Sequence, residues 1–271
     1  MTESISEILA DAVAEASAEE VRARHAAERA QHAATIWKRL NENHAKHWPA
    51  HLLSVFYSEA SFFQGLRANH DPRLAALDGL QKSAEEEARA ALKRFPSDLD
   101  VACNSAGVRL DRTSRHPRYT VRNFIVVEVD EAKLSARVTP RDGTPTTIPC
   151  DIPAIAEHLA REDRRLFERD FDSDKVLKSL LTAYQAALRE DSRDLGEDVP
   201  LRRVIHRMGK NLARFALDEF NVDLAQAVKQ NKTVVEGHRL HLGHTRNTRQ
   251  GMLLYELEGS GYVGFIAFRK S

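Results

Sequence analysis

Apolar residues recur at three- and four-residue spacing from the start of the chain: Ile5, Ile8, Leu9, Ala12, Val13 and Ala16 fall on one helical face. The stripe continues through Val21, Ala26, Ala30, Ala33, Ile36, Trp37 and Leu40, with Glu and Arg between, and predicts one alanine-rich helix over 3–47. Alanine favours helix but buries little area, so such a segment needs a closely packed partner. Trp48-Pro49 breaks the pattern, because the residue before proline disfavours helical backbone and Pro49 suits a first helical position. A second helix, PAHLLSVFYSEASFFQGL, carries the richest apolar face of the chain, with Leu52, Leu53, Val55, Phe56, Phe62, Phe63 and Leu66. Asp71-Pro72 opens a third helix with Leu74, Leu77, Leu80, Ala84, Ala88, Ala91 and Leu92 facing inward, which runs to about Phe95, where Pro96 ends it.

Beyond Pro96 the period shortens. Residues 119–129, YTVRNFIVVEV, are rich in β-branched and aromatic side chains, and KLSARVT repeats the signal after a short link, which predicts a β-hairpin. Arg141-Asp142-Gly143 is a turn signal, and TPTTIPC adds an edge strand tolerant of proline. Asp151 is placed to cap a helix that reaches about Arg169, and Asp172 or Ser173 to cap DKVLKSLLTAYQAALRE. The final stretch predicts helical segments over Pro200–Gly209, Leu212–Phe220 and Val222–Gln230, then strands VVEGHRLHL, GMLLYEL and YVGFIAF. Three helices followed by a small sheet resembles the element order of a winged-helix domain. The expected class is therefore α+β. A helical, coiled-coil-like arm occupies 1–95, a central β-hairpin plus helices 96–195, and a winged-helix-like unit 196–271.

Composition narrows the function classes. The chain has 271 residues, 42% hydrophobic and 30% charged, which suits packed cores with long solvated helix faces. Lys+Arg and Asp+Glu balance at 40 each, so the surface as a whole is not built to coat nucleic acid or anionic membrane; such contact needs a local patch. Cys103 and Cys150 are too few for a disulfide framework or a four-thiolate zinc site and read as reduced thiols. The start, MTESISEILADAVAEASAEE, lacks the basic and apolar regions of a signal peptide, and no run approaches the roughly 18 apolar residues of a membrane span. A cytoplasmic protein with no membrane contact is expected. No P-loop, GxSxG or kinase signature occurs, and no cofactor is implied.

Two segments carry candidate chemistry. The first, VRLDRTSRHPRYTVRN, sets Arg109, Arg112, Arg115, Arg118 and Arg122 against the single acid Asp111, with Tyr119 available to stack on a base. The second, VEGHRLHLGHTRNTRQG, holds His238, Arg239, His241, His244, Arg246, Asn247 and Arg249. Guanidinium forks match phosphate oxygens, so Arg246 and Arg249 on a glycine-bounded loop suit phosphate contact. Strand alternation puts His238 and His241 on opposite faces, and no carboxylate or cysteine stands at ligand spacing, so no metal site is expected. His241 and His244 with a neighbouring arginine have the side-chain types for acid–base work on a phosphodiester. Interleaved charges in REDRRLFERDFDSDK read as a solvated, salt-bridged helix end.

The expectation is a non-catalytic subunit of a cytoplasmic complex. Its arm over 1–95 would self-associate or bind a protein partner, and its body would touch nucleic-acid phosphates through the two Arg/His-rich segments. The alternatives are a metal-independent nuclease or phosphodiesterase using His238, His241 and His244, and a protein-binding scaffold without nucleic-acid contact.

Overall fold

The computed structural model describes residues 5–271, with backbone alone for 6–8. It is a mixed α+β chain with a long N-terminal helix and two small antiparallel sheets. The chain forms two compact units. The first takes in the described residues up to Phe95 with Glu131–Ser135 and Pro149–Ala154; the second is Pro96–Asp130, Ala136–Ile148 and Ile155–Ser271.

In the first unit, helix α1 runs Ile5–Ala45, α2 Pro49–Ser58, α3 Ala60–Ala68 and α4 Leu74–Leu92. Residues 3 and 4, which the sequence assigns to the first helix, lie outside the described residues. The core is built from Ile36 and Leu40 of α1, Leu52, Leu53, Val55 and Phe56 of α2, Phe63 of α3, and Leu77, Ala84 and Ala88 of α4. The helix expected over 49–66 is two helices, because the chain bends at Glu59. The Glu59 N–H donates to Val55 O while its carbonyl accepts from Phe62 and Phe63. The bend sets Phe63 4.8 Å from Phe56 and Phe62 5.7 Å from Trp37, and the Glu59 carboxylate meets Arg39 at 3.0 Å.

Asp151 does not cap its own helix. Its carboxylate accepts from the backbone N–H of Ala50 at 2.9 Å and of His51 at 2.7 Å, closing the exposed donors at the start of α2. His51 Nδ1 adds a contact of 2.6 Å to the same carboxylate.

In the second unit, helix α5 follows (Phe95–Ser105), then β1 Arg118–Val121, β2 Ile125–Asp130, β3 Ser135–Pro140 and β4 Thr146–Pro149, which form a sheet in that order. Helix α5 is not foreseen from sequence: Pro96 sits in its first turn, where a missing N–H costs nothing, and so starts a helix as well as following one. The segment 119–129 is not one strand either. Arg122 and Asn123 adopt φ of 51° and 49°, and the chain reverses there so that Val121 pairs with Ile125.

Helices α6 (Ile152–Phe167), α7 (Ser173–Glu190), α8 (Leu201–Asn211) and α9 (Leu217–Lys229) then alternate with β5 (Val199–Pro200), β6 (Val234–Val235), β7 (His238–Thr245) and β8 (Tyr262–Lys270). The second sheet has the order β5-β8-β7-β6. Asp172 caps α7, accepting from Lys175 N at 3.1 Å. The order that resembles a winged helix is met only in part. Residues 212–216 are not helical, so α8 and α9 stand where three segments are expected. Met252–Leu257 makes one bridge to Val263 and a turn rather than a strand. The stretch 234–242 is itself a hairpin, turning through Glu236 and Gly237 at φ of 49° and 72°, the two positive values of a tight two-residue loop.

Asn221 of α9 is fully buried and fully bonded. Its Nδ2 donates to Asp142 Oδ2 and Leu253 O at 2.9 Å each, and its Oδ1 accepts from Tyr255 N at 2.9 Å. A ring cluster of Phe124, Phe167 and Tyr255, with centroids 4.8–5.8 Å apart, packs within the same unit.

Candidate functional site

Three surfaces carry the residues that the sequence singles out. The first is α1. From Leu9 to His32 every residue is exposed, and Ile36 is the first that is buried. Leu9 is 61% exposed, Val13 67% and Val21 53%, although all three are apolar. Helix propensity explains why the segment is helical; it does not explain why branched apolar residues stand in water. In that stretch His32 lies 3.2 Å from the Glu59 carboxylate.

The second surface is the 109–122 segment. Arg109 and Arg112 are exposed, and among the described residues their side chains make no hydrogen bond or ion pair. Arg115 is turned onto its own loop, Nη1 donating to Arg112 O at 3.0 Å and Ser114 O at 2.6 Å. Arg118 lies 3.4 Å from Glu128 across the β1–β2 pair. Arg122 is not a free cation: it holds Asp163 at 2.6 and 3.1 Å through Nε and Nη2 and lies over the Phe167 ring at 4.8 Å. The Asp163 carboxylate raises the pKa of that guanidinium, so Arg122 is a permanent cation tied to a buried acid. Tyr119 is buried, with its ring hydroxyl 2.9 Å from His116 Nδ1, and is not available to stack on a base.

The third surface is the β7 strand and the loop after it. His238 Nδ1 donates to Glu236 O at 2.8 Å. Arg239 and His241 are exposed, opposite Arg269 and Ala267 of β8. The register shifts after Gly243, with Gly243 opposite Phe265 and His244 opposite Val263, so the extra residue of the bulge, Gly264, lies on β8. A Cβ there would come within 2.6 Å of Thr245 Cγ2, so the close approach of the two strands requires glycine. A cavity of about 300 Å³ is lined by Val228, Leu240, Leu254, Leu257 and Val263 together with His241 and His244.

Past Thr245 the loop is shaped by Asn247. Its Oδ1 accepts from Arg249 N at 3.0 Å and its carbonyl from Gln250 and Gly251, which makes Asn247 a turn former first. Arg246 and Arg249 are exposed on that turn, and among the described residues neither side chain has a carboxylate partner. The two arginine segments flank different sheets, the first at β1 and the second at β7.

Several groups with chemical potential are occupied elsewhere. The charge run after Arg161 is not merely a solvated face: Arg165 bonds Glu162 and, from α9, Asp218 and Glu219, while Arg169 bonds Asp223. Sequence distance hides these pairs, since the partners lie on a helix some fifty residues on. Burial pushes the thiols of Cys103 and Cys150 up to about 12, leaving both protonated and unreactive at neutral pH. No group of three or more His, Cys, Asp or Glu among the described residues is placed to hold a metal ion, and no described helix is long and apolar enough to cross a membrane. In comparisons with protein-family models, curated proteins and solved structures, nothing matches this chain.

Proposed function

We propose that the protein is a non-catalytic subunit of a larger assembly that docks through α1. The observation that carries this reading is the bare apolar face of α1, where Leu9, Val13 and Val21 stand exposed along a stretch, Leu9 to His32, in which every residue is exposed. A helix with so little burial has no reason to persist for its own sake, and a docked partner supplies the missing burial. Removing residues 1–31 tests it. The shortened chain keeps a cooperative unfolding transition, because its cores are untouched; loss of that transition would make the segment a structural part of the body.

The proposal extends to phosphate contact through Arg109 and Arg112 on one side and Arg239, Arg246 and Arg249 on the other. Their support is exposure without a neutralising carboxylate among the described residues. Binding to labelled single- and double-stranded DNA and RNA then weakens steeply with salt, and Arg246→Gln with Arg249→Gln lowers the logarithmic salt slope by about two. Binding absent at low salt, or a slope unchanged by that pair, removes nucleic acid from the account.

A further inference from the structure

The docking reading of α1 leaves its partner open; resting on that reading, we propose that the partner is a second copy of this chain laid antiparallel along the same helix. Leu9, Val13, Ala16, Glu20, Ala23, Ala27, Ala30 and Ala34 are separated by alternating steps of four and three residues, the repeat of a two-stranded coiled coil. All of them are exposed. This seam is symmetric about the Val21-Arg22 bond. In an antiparallel pair centred there, Leu9 meets Ala34, Val13 meets Ala30, Ala16 meets Ala27, and Glu20 meets Ala23. Leu9 and Val13 thus each face an alanine, and no two large apolar side chains compete for the same space.

A parallel, in-register pair does the opposite. It stacks leucine on leucine and alanine on alanine, and it sets the two Glu20 carboxylates against each other inside the seam, where neither has a counter-ion.

Charge along the helix favours the same arrangement. Between Leu9 and Glu20 the charged residues are Asp11, Glu15, Glu19 and Glu20, all acidic. Between Val21 and His32 they are Arg22, Arg24, Glu28 and Arg29, and Glu28 is already met within the helix by Arg24 at 3.3 Å. Arg22 and Arg29 have no carboxylate partner among the described residues. Antiparallel pairing lays the acidic half of each copy beside the basic half of the other; parallel pairing lays acid on acid. The seam is about 38 Å long at 1.5 Å per residue. It stops at Ala34, two residues before α1 enters its own core at Ile36, so the contact needs no surface beyond the bare helix.

Cross-linking of the full chain tests both identity and direction. Ala16→Cys and Ala27→Cys are made in separate proteins, mixed and mildly oxidised; the native thiols are buried and protonated and do not compete. The expected result is a mixed Ala16→Cys/Ala27→Cys disulfide formed at least tenfold faster than either like-with-like product. In the antiparallel pair, like positions are offset by about 16 Å along the axis, beyond disulfide reach. Fast like-with-like products would overturn the antiparallel arrangement. A chain that stays monomeric at every concentration and gives no cross-link would overturn self-docking, while leaving α1 as an arm for a different protein. The docking reading itself falls only if removal of residues 1–31 unfolds the body.

Discussion

Val13 and Asn221 mark two extremes of one chain. Val13 is an apolar residue two-thirds exposed on the bare part of its helix, whereas Asn221 is a polar residue with no exposure whose amide nitrogen and oxygen are both hydrogen-bonded. In the second unit the fold spends polar groups to close itself: Asn221 ties α9 to the turn at Asp142, and Arg122 and Arg165 each neutralise a buried acid. Along α1 the same chain leaves branched apolar groups in water. Where a polar group is buried and satisfied, the structure explains the residue. Where an apolar face is bare, the explanation must come from another molecule.

The comparison is broken most strongly at Asn221. Asn221→Ala strands the buried Tyr255 N–H and removes the bonds to the half-buried Leu253 carbonyl and the exposed Asp142 carboxylate, and urea unfolding should show a loss of about 3 kcal/mol. An effect below about 1 kcal/mol would mean that water or a rearranged loop replaces those bonds. Gly264→Ala comes next. Its Cβ would lie 2.6 Å from Thr245 Cγ2, so β7 and β8 must part, at a cost of about 2 kcal/mol. Thr245 Cβ is almost as close, at 2.7 Å, so Thr245→Ala in the same protein leaves the clash, whereas Thr245→Gly removes both atoms and recovers part of the loss.

A pH-dependent effect follows from the thiols. Both are raised from 9.0 to about 12 by burial, so in the folded chain they hold their protons when the unfolded chain has lost them. Stability contributed by these groups is therefore full below pH 9 and declines as pH rises from 9 to 12, by at most about 1.4 kcal/mol per pH unit for each thiol. Cys103→Ala should flatten that decline, and neither thiol should react with a thiol reagent at pH 8 before unfolding. The smallest effect belongs to the bare helix. Val13→Ser in dilute, monomeric protein should change unfolding stability by less than about 0.5 kcal/mol, because Val13 is 67% exposed.

Local pattern made the helices legible. The three-and-four spacing through Ile36 and Leu40, the proline at Pro49 and the cap at Asp172 each act within a turn or two of their own position. Turns hidden inside β-prone runs were not legible: YTVRNFIVVEV reads as one strand because its propensities are continuous, yet Arg122-Asn123 takes the left-handed backbone that reverses it. Glu236-Gly237 does the same. Partners distant in sequence were the least visible. Asp151 looks like the cap of its own helix but serves α2, and Arg122 counts as free charge until Asp163 is brought beside it. The candidate surfaces sort along the same line. Arg246 and Arg249 read correctly as an exposed pair on a turn, and Tyr119 does not, because its burial depends on the sheet around it.

The central claim is that α1 exists to be covered by another copy. Sedimentation equilibrium of the full chain and of the chain lacking residues 1–31, over the same concentration range, measures it most directly. The account predicts that the full chain rises from its 30.5 kDa monomer toward twice that mass, while the shortened chain stays monomeric throughout. Equal behaviour of the two proteins, both monomeric or both dimeric, would contradict it.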